Sequence, residues 1–215
     1  MSPQKKEIIA LLEKKAYDVL ARRSRTDRKI ISVLISLSYD KNSHTSWRAV
    51  EAIGLATKEM SVTDPEAVRN FAGRLLWMIR DESGGIGWSA PEILGEIVRN
   101  NPVLCSDFAP IIASFHDEIM LCAGVLRALG RIGPINPETV SYAAPIVRSY
   151  LRSENETLRG YAAWTSGEMG TEEALADLEI LKNDPGRIRF YENGELVEKK
   201  IGEIVSAAIE KIRRG

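Results

Sequence analysis

The chain has 215 residues, of which 44% are hydrophobic and 27% charged, a composition typical of a globular protein. Its length fits one domain or a short repeat array with a continuous core. Lysine and arginine (29) nearly balance aspartate and glutamate (30), which excludes a global charge that would attract nucleic acid or an anionic membrane.

The N-terminal stretch MSPQKKEIIALLEKK is charged within a few residues and has no long apolar core. It predicts neither a signal peptide nor a membrane anchor, and we expect a cytoplasmic protein. Residues 4–22 are predicted to form one amphipathic helix that covers the following structure with Ile8, Leu11, Leu12 and Leu20. The next stretch, RRSRTDRK at 22–29, has five basic residues in eight and is expected to be a solvated corner.

Four later segments are similar to one another: WRAVEAIG (47–54), WSAPEILG (88–95), AGVLRALG (123–130) and GYAAWTSG (160–167). Each is a helical pattern rich in small residues, and their closing glycines are 41, 35 and 37 residues apart. An apolar helical segment precedes each one, at 28–38, 67–79, 103–115 and 140–151. A period of this length is typical of stacked helix pairs, so each repeat is predicted to have an outer helix and an inner helix that ends at the glycine.

These repeats resemble the HEAT-repeat family of the ARM-like superfamily, and TLRGYAAWTSGEMG (157–170) is similar to its subgroup named after phycobilisome lyases. The resemblance covers residues 27–212. It implies one all-α domain over 1–215, a right-handed α-solenoid of about five helix pairs at 27–60, 64–100, 101–133, 136–170 and 171–213, with the helix at 4–22 as an N-terminal cap. Such repeats mostly serve as binding surfaces, so the resemblance favours a scaffold over an activity.

A small β-hairpin is predicted at 187–199, inserted in the last repeat. Asn193-Gly194 between two β-prone runs is the strongest short-range hairpin signal, and a two-residue turn pairs Tyr191 with Leu196 and Phe190 with Val197. A lone hairpin is marginal in water, so we expect it to bridge the last outer helix and the last inner helix and to shield the end of the core.

A stripe of candidate binding residues follows from numbering each inner helix backward from its glycine at 100° per residue. Positions −5, −4 and −1, as in Ala49, Val50 and Ile53, form an apolar side, and positions −7, −3 and +1 lie opposite, facing a concave groove. The second set, called here the inner-helix stripe, is Trp47, Glu51, Leu55, Trp88, Glu92, Glu96, Ala123, Arg127, Arg131, Gly160, Trp164 and Glu168. All of these except Leu55, Ala123 and Gly160 are the candidate binding residues.

Tryptophan and arginine are over-represented among binding hot spots, which favours a protein or peptide as the partner. The alternative for Trp47 and Trp88 is that both pack against neighbouring helices, and Trp77 on an outer helix is expected in the core. Four carboxylates against two arginines give the stripe a charge of −2, which suits basic or aromatic side chains and makes a DNA-glycosylase-like, nucleic-acid-binding role unfavourable.

No catalytic, metal or cofactor site is predicted. The two histidines, His44 and His116, have no metal-ligand spacing, and Cys105 and Cys122 are expected to be buried thiols. The leading hypothesis is therefore a non-enzymatic, protein-binding adaptor without a membrane partner. The alternative is a HEAT-like enzyme, glycosylase-like or bilin-lyase-like, or a nucleic-acid-binding protein.

The segment SGGIGWSAPE (83–92) is predicted to be a tight corner between two helices, because it lacks the lysine and the strand context of a phosphate-binding loop. Ser89 and Glu92 have the spacing of a capping box, and Pro91 is tolerated in a first helical turn.

Overall fold

The computed structural model describes residues 2–80 and 89–214, so residues 83–88 of the predicted corner at 83–92, including Trp88, lie outside the described residues. The described part contains thirteen α-helices and one two-stranded sheet. It divides into two compact units: Met1–Ser106 with Tyr191–Leu196 form the first, and Asp107–Phe190 with Val197–Gly215 form the second.

The first unit is helical apart from the tip of the hairpin. Its helices are α1 (Pro3–Glu13), α2 (Tyr17–Ser24), α3 (Lys29–Leu37), α4 (His44–Ser61), α5 (Pro65–Arg80), α6 (Ala90–Asn100) and the short α7 (Pro102–Cys105).

The second unit contains the remaining helices and most of the hairpin. Its helices are α8 (Phe108–Ala113), α9 (Cys122–Ile132), α10 (Pro137–Ser149), α11 (Glu156–Met169), α12 (Leu175–Ile180) and α13 (Ile201–Arg214). Strand β1 is Arg187–Glu192 and strand β2 is Glu195–Lys200.

The predicted all-α arrangement of helix pairs with a C-terminal hairpin is confirmed. Outer helices α3, α5 and α10 are followed by inner helices α4, α6 and α11. In the first unit α4 packs against α2 and α6, and in the second unit α11 packs against α9 and α13. Stacking of successive inner helices is the packing that a helical repeat requires, because one pair alone cannot bury its apolar face.

The N-terminal segment differs from its prediction, because residues 4–22 form parts of two helices instead of one. Helix α1 ends at Glu13, and Lys15 follows in the left-handed conformation with a φ of 52°. The amide of Ala16 then donates to the carbonyl of Leu11 at 2.9 Å, as in a helix C-terminal motif. The side chain of Lys15 reaches the hairpin tip, a tertiary contact that no local pattern indicates.

The recurrent glycines do not end the inner helices, as the sequence had predicted, but lie inside them. Helix α4 continues seven residues past Gly54 to Ser61, and α11 continues to Met169. A Cβ atom on Gly54 would lie 2.9 Å from the carbonyl oxygen of Glu96, and one on Gly167 would lie 2.7 Å from the Cα of Ala208. The glycines therefore recur because neighbouring inner helices approach each other closely there.

The hairpin has the predicted turn. Asn193 and Gly194 have φ angles of 51° and 78°, the positive values that a two-residue turn of this kind needs at both positions. In the second unit its side chains pack on α11 instead of bridging the last two helices, since Phe190 contacts Tyr161 and Trp164 with ring centroids 5.7 and 5.6 Å away.

Several core predictions can be checked directly. Ala49, Val50 and Ile53 are buried as predicted, and so are both cysteines. The prediction that Trp77 lies in the core is wrong, because this residue of α5 is 66% exposed.

Candidate functional site

In the first unit, the stripe residue Trp47 is covered by the tip of the chain's own hairpin. Its indole ring is stacked on the ring of Tyr191, with centroids 5.6 Å apart and planes 15° apart. The indole N–H donates to the carbonyl of Lys41 at 2.9 Å, and the residue is 6% exposed. Trp47 is therefore buried in this structure, as in the alternative that the sequence left open.

Tyr191 connects this stacked pair to the next residue of the stripe. Its hydroxyl donates to Glu51 Oε2 at 2.7 Å, and the Tyr17 hydroxyl lies 3.5 Å away. Burial raises the pKa of Tyr191 far above its ordinary value, and its hydrogen bonds to Tyr17 and Glu51 add to the shift. The phenol is thus neutral at every physiological pH and acts as a hydrogen-bond donor to the carboxylate.

Two basic side chains that the sequence did not single out hold the hairpin turn in the first unit. Buried Arg48 donates from Nε to the carbonyl of Gly194 at 2.7 Å, and it pairs with Glu195 at 2.7 Å. Lys15 donates to the carbonyl of Asn193 at 3.0 Å and also pairs with Glu195, which lowers the pKa of that carboxyl. The signal available in the sequence was the place of Arg48 among small and apolar residues of its helix. Arginine is seldom buried without a partner, so this position indicated a partner for Arg48.

Glu92 is not an open groove residue either. Glu92 is 4% exposed, and its Oε1 binds Lys41 Nζ at 2.7 Å, while Oε2 has no hydrogen-bond partner among the described residues.

The predicted capping box of Ser89 and Glu92 is wrong. The Ser89 hydroxyl donates to the carbonyl of Ser38 at 2.7 Å and makes no cap at α6. Pro91 does lie in the first turn of the helix.

Glu96 is buried at 5% exposure beside Gly54, in the contact between α4 and α6. Arg99 lies 3.8 Å from its carboxylate. Burial in this packing contact corrects the expectation that Glu96 faces a groove. The prediction for Trp88 falls outside the described residues.

In the second unit, the stripe surrounds the hairpin residue Phe190. The Arg127 guanidinium lies 5.3 Å from the Trp164 ring centroid and 5.8 Å from that of Phe190, and Trp164 meets Phe190 edge to face. Lys199 lies on β2, and its Nζ is 5.7 Å from the centroid of the Phe190 ring. Arg127 is 7% exposed, so its cation–π contacts are largely removed from water. Such contacts are stronger when they are desolvated than when they are exposed.

The last two predicted residues keep partial exposure. Glu168 pairs with Lys211 of α13 at 2.6 Å, and Arg131 is half-buried near the end of α9. Glu51, Glu92 and Glu168 thus each have a partner within the chain: the Tyr191 hydroxyl, Lys41 and Lys211. The expected charge of −2 is therefore offset by the chain's own cations.

Taken unit by unit, the stripe holds aromatic side chains of an extended strand. Trp47 and Glu51 bind Tyr191 in the first unit, and Arg127 and Trp164 bind Phe190 in the second. The expectation of open side chains is thus corrected for Trp47, Glu92, Glu96 and Arg127, which are buried.

The basic corner at 22–29 is neutralised inside the first unit. Each of its four arginines has a carboxylate partner: Arg22 with Asp18, Arg23 with Glu7, Arg25 with Glu59 and Arg28 with Asp64. Both members of most of these pairs are well exposed, so each contributes little to stability.

One polar cluster lies away from the stripe in the second unit. The Tyr150 hydroxyl donates to the carbonyl of His116 at 2.7 Å and lies 3.2 Å from its Nδ1. Burial raises the pKa of Cys122 beside them, which keeps the thiol protonated. Within residues 2–80 and 89–214, no group of three His, Cys, Asp or Glu side chains could hold a metal ion.

Comparison with known proteins supports the fold. No family model matches the chain. An uncharacterised protein of Archaeoglobus fulgidus is 26% identical over 185 residues, which cover 83% of this chain and 95% of that protein.

Two engineered proteins of known structure superpose with TM-scores of 0.53 and 0.55 at 14% and 15% identity. They cover 99% and 100% of this chain, and the chain spans 98% of the first and 59% of the second. At such identities the likeness shows the fold alone. An archaeal HEAT-like repeats protein from Thermococcus onnurineus NA1 has a TM-score of 0.42 at 17% identity over 99% of this chain and 80% of that one, a score too low to carry an argument.

Among the described helices, none combines the length and the apolar character that crossing a membrane would need.

Proposed function

We propose that this chain is a non-enzymatic scaffold that binds an extended segment of a partner protein through its inner-helix stripe. The observation that carries the proposal is the way the stripe holds the chain's own hairpin. Trp47 stacks on Tyr191 while Glu51 accepts its hydroxyl, and Trp164 with Arg127 encloses Phe190. The first unit thus holds a tyrosine of the hairpin and the second unit holds a phenylalanine, and each of these surfaces suits a partner segment that bears aromatic side chains.

In this proposal the hairpin is the resident occupant, and a partner segment competes with it. Aromatic rings supply a large contact area at a low entropy cost, which makes them efficient anchors for either occupant.

The test uses a fluorescein-labelled peptide with the hairpin sequence RIRFYENGELVEKK (187–200) and follows fluorescence anisotropy. The Tyr191→Ala variant lacks the ring that stacks on Trp47, so the surface around Trp47 is open and should bind the peptide. Adding Trp47→Ala should weaken that binding at least about tenfold, which corresponds to about 1.4 kcal/mol. A peptide with alanine at the tyrosine position is the matched control and should bind less.

Circular dichroism must show that the Tyr191→Ala chain is folded. If it is not, Arg48→Ala offers a second route, because it frees the turn and leaves the aromatic residues in place. A folded, opened chain that ignores the peptide would exclude the stripe as a binding site for segments in trans.

A further inference from the structure

In the first unit, the hairpin turn rests on five residues, called here the turn-binding surface: Lys15, Tyr17, Trp47, Arg48 and Glu51. Only Trp47 and Glu51 belong to the inner-helix stripe. The surface contacts a hydroxyl group, two backbone carbonyls and a carboxylate of the turn, so it recognises more than an aromatic ring.

The first group that the surface recognises is the hydroxyl of the tyrosine. The Tyr191 hydroxyl donates to Glu51 Oε2 at 2.7 Å, and the Tyr17 hydroxyl lies 3.5 Å from it. A phenylalanine would remove this donor from Glu51, and an acceptor left unpaired in a buried site costs more than one in water. A phosphotyrosine would place a charge of about −1.5 to −2 against the Glu51 carboxylate. The surface therefore favours an unmodified tyrosine over both of these residues.

The second feature is the glycine of the turn. Gly194 has a φ of 78°, in the left-handed region that favours glycine. The Lys15 side chain lies over it, since a Cβ atom on Gly194 would be 2.7 Å from Lys15 Cε. The carbonyl of Gly194 accepts from Arg48 Nε at 2.7 Å, and that of Asn193 accepts from Lys15 Nζ at 3.0 Å. A residue with a side chain at this position would strain its own backbone and displace Lys15.

The third feature is the carboxylate that follows the glycine. Glu195 Oε1 lies 2.7 Å from both Arg48 Nη2 and Lys15 Nζ. Arg48 is 5% exposed, and its Nη1 donates to the carbonyls of Leu12 and Glu13 at 3.5 and 3.3 Å. The Nε and Nη2 groups of this buried guanidinium thus bind the occupant of the surface. A buried charge that loses its partners is strongly destabilising, so an occupant has to supply both a carbonyl and a carboxylate.

On the basis of the proposed function, we infer that the turn-binding surface recognises a tight turn of the sequence Tyr-x-x-Gly-Glu in a partner protein, with the tyrosine unphosphorylated. Residues 191–195 of the hairpin have this sequence. Glu51 requires the hydroxyl, Lys15 and the positive φ require the glycine, and Arg48 requires the carboxylate. Phosphorylation of the partner's tyrosine therefore prevents its binding.

The test uses fluorescein-labelled peptides of residues 187–200 and a Tyr191→Ala/Glu195→Gln chain, which lacks two contacts of its own turn. In the peptide, Tyr191→Phe, Gly194→Ala and Glu195→Gln should each weaken binding at least about tenfold relative to the unchanged sequence. Phosphotyrosine at position 191 should weaken it at least about a hundredfold. Glu198→Gln removes an equal charge from an exposed pair and is the matched control, which should bind like the unchanged peptide.

A further substitution in the chain separates recognition by Glu51 from a structural role. Adding Glu51→Gln should narrow the difference between the tyrosine and phosphotyrosine peptides, because the like charge is gone. A structural role alone would weaken the binding of all peptides by the same factor. Circular dichroism checks that each chain is folded, and Tyr191→Ala alone replaces the double variant if that one is not.

Equal affinity for the tyrosine, phenylalanine and phosphotyrosine peptides would overturn the inference and leave the proposed function standing, because an aromatic segment would still bind. A folded, opened chain that binds none of the peptides would reject both. Light scattering of the parent chain tests a third occupant. A dimer that dissociates in Tyr191→Phe would assign the surface to the hairpin of a second copy and overturn its assignment to a partner protein.

Discussion

At the scale of single residues, buried arginine–carboxylate contacts hold the irregular parts of this chain. In the second unit Arg159 donates to both oxygens of Asp184 at 2.7 and 3.3 Å, just before the hairpin begins. The amide of Gly186 donates to the same carboxylate at 2.8 Å. These hydrogen bonds, from Arg159 first and then Gly186, lower the pKa of Asp184 below its ordinary value.

The lowered pKa of Asp184 predicts a loss of stability in acid. The folded protein keeps this carboxyl ionised at a pH where the unfolded chain protonates it, so its contribution is complete above the unfolded pKa of about 4 and is lost as the pH falls through the folded value. Asp184→Asn should cost about 1–3 kcal/mol at pH 7 and reduce the dependence of stability on pH below 4. Urea unfolding at pH 7, 4 and 3 measures both effects.

Asp18→Asn is the matched control for that measurement. Asp18 and Arg22 form an exposed pair one helical turn apart, with both side chains 66% exposed. Removing such a pair should cost less than about 0.5 kcal/mol. An equal loss in the two variants would mean that burial of the Arg159–Asp184 pair does not strengthen it.

At the scale of helices, close approach of inner helices explains the recurrent glycines. Gly130 has the ring of Trp164 over it, since a Cβ atom there would lie 2.5 Å from the ring. Gly54 and Gly167 meet backbone atoms of the next inner helix in the same way. The repeated glycine is therefore a packing residue, and its place in the middle of a helix costs less than separating the two helices would.

A pair of glycine-to-alanine variants separates packing from helix propensity. Gly167→Ala should destabilise the chain by about 1–3 kcal/mol, because its methyl group would press on the backbone of α13 at Ala208. Gly73→Ala, with no atom within 4 Å, should instead stabilise it by about 0.5–1 kcal/mol. Thermal unfolding of both variants compares them, and a shift of the same sign in both would contradict the packing explanation.

At the scale of the whole molecule, the chain forms two compact units and the hairpin contributes to both. Tyr191–Leu196 belongs to the first unit, and the flanking residues of both strands belong to the second. Strands β1 and β2 form one continuous ladder of backbone hydrogen bonds. Loss of the hairpin tip in the first unit therefore weakens the strand pairing at the hairpin base in the second.

This continuity predicts that the two units unfold together. Hydrogen exchange followed by mass spectrometry in increasing urea should give one midpoint for α4 in the first unit and α11 in the second. Midpoints separated by more than the error of the method would contradict both this coupling and the single-domain organisation expected from the repeats.

The sequence by itself determined the features that depend on local order. Helical periodicity, the regular spacing of the glycines and the Asn193-Gly194 turn correctly predicted helix pairs and a C-terminal hairpin, because each reports conformational preferences of nearby residues. The same local rules predicted one N-terminal helix at 4–22, and they were wrong where Lys15 takes a positive φ and contacts the hairpin.

Only the tertiary structure decided what covers the inner-helix stripe. Glu51 and Tyr191 are 140 residues apart, and Arg48 and Gly194 are 146 apart, so no pattern along the chain indicates that they meet. Periodicity correctly separates the two sides of a helix, yet it does not say whether the second side faces water or another part of the chain. The hairpin could be predicted from its own residues, whereas its position depends on aromatic and ionic contacts that form only when distant segments pack together.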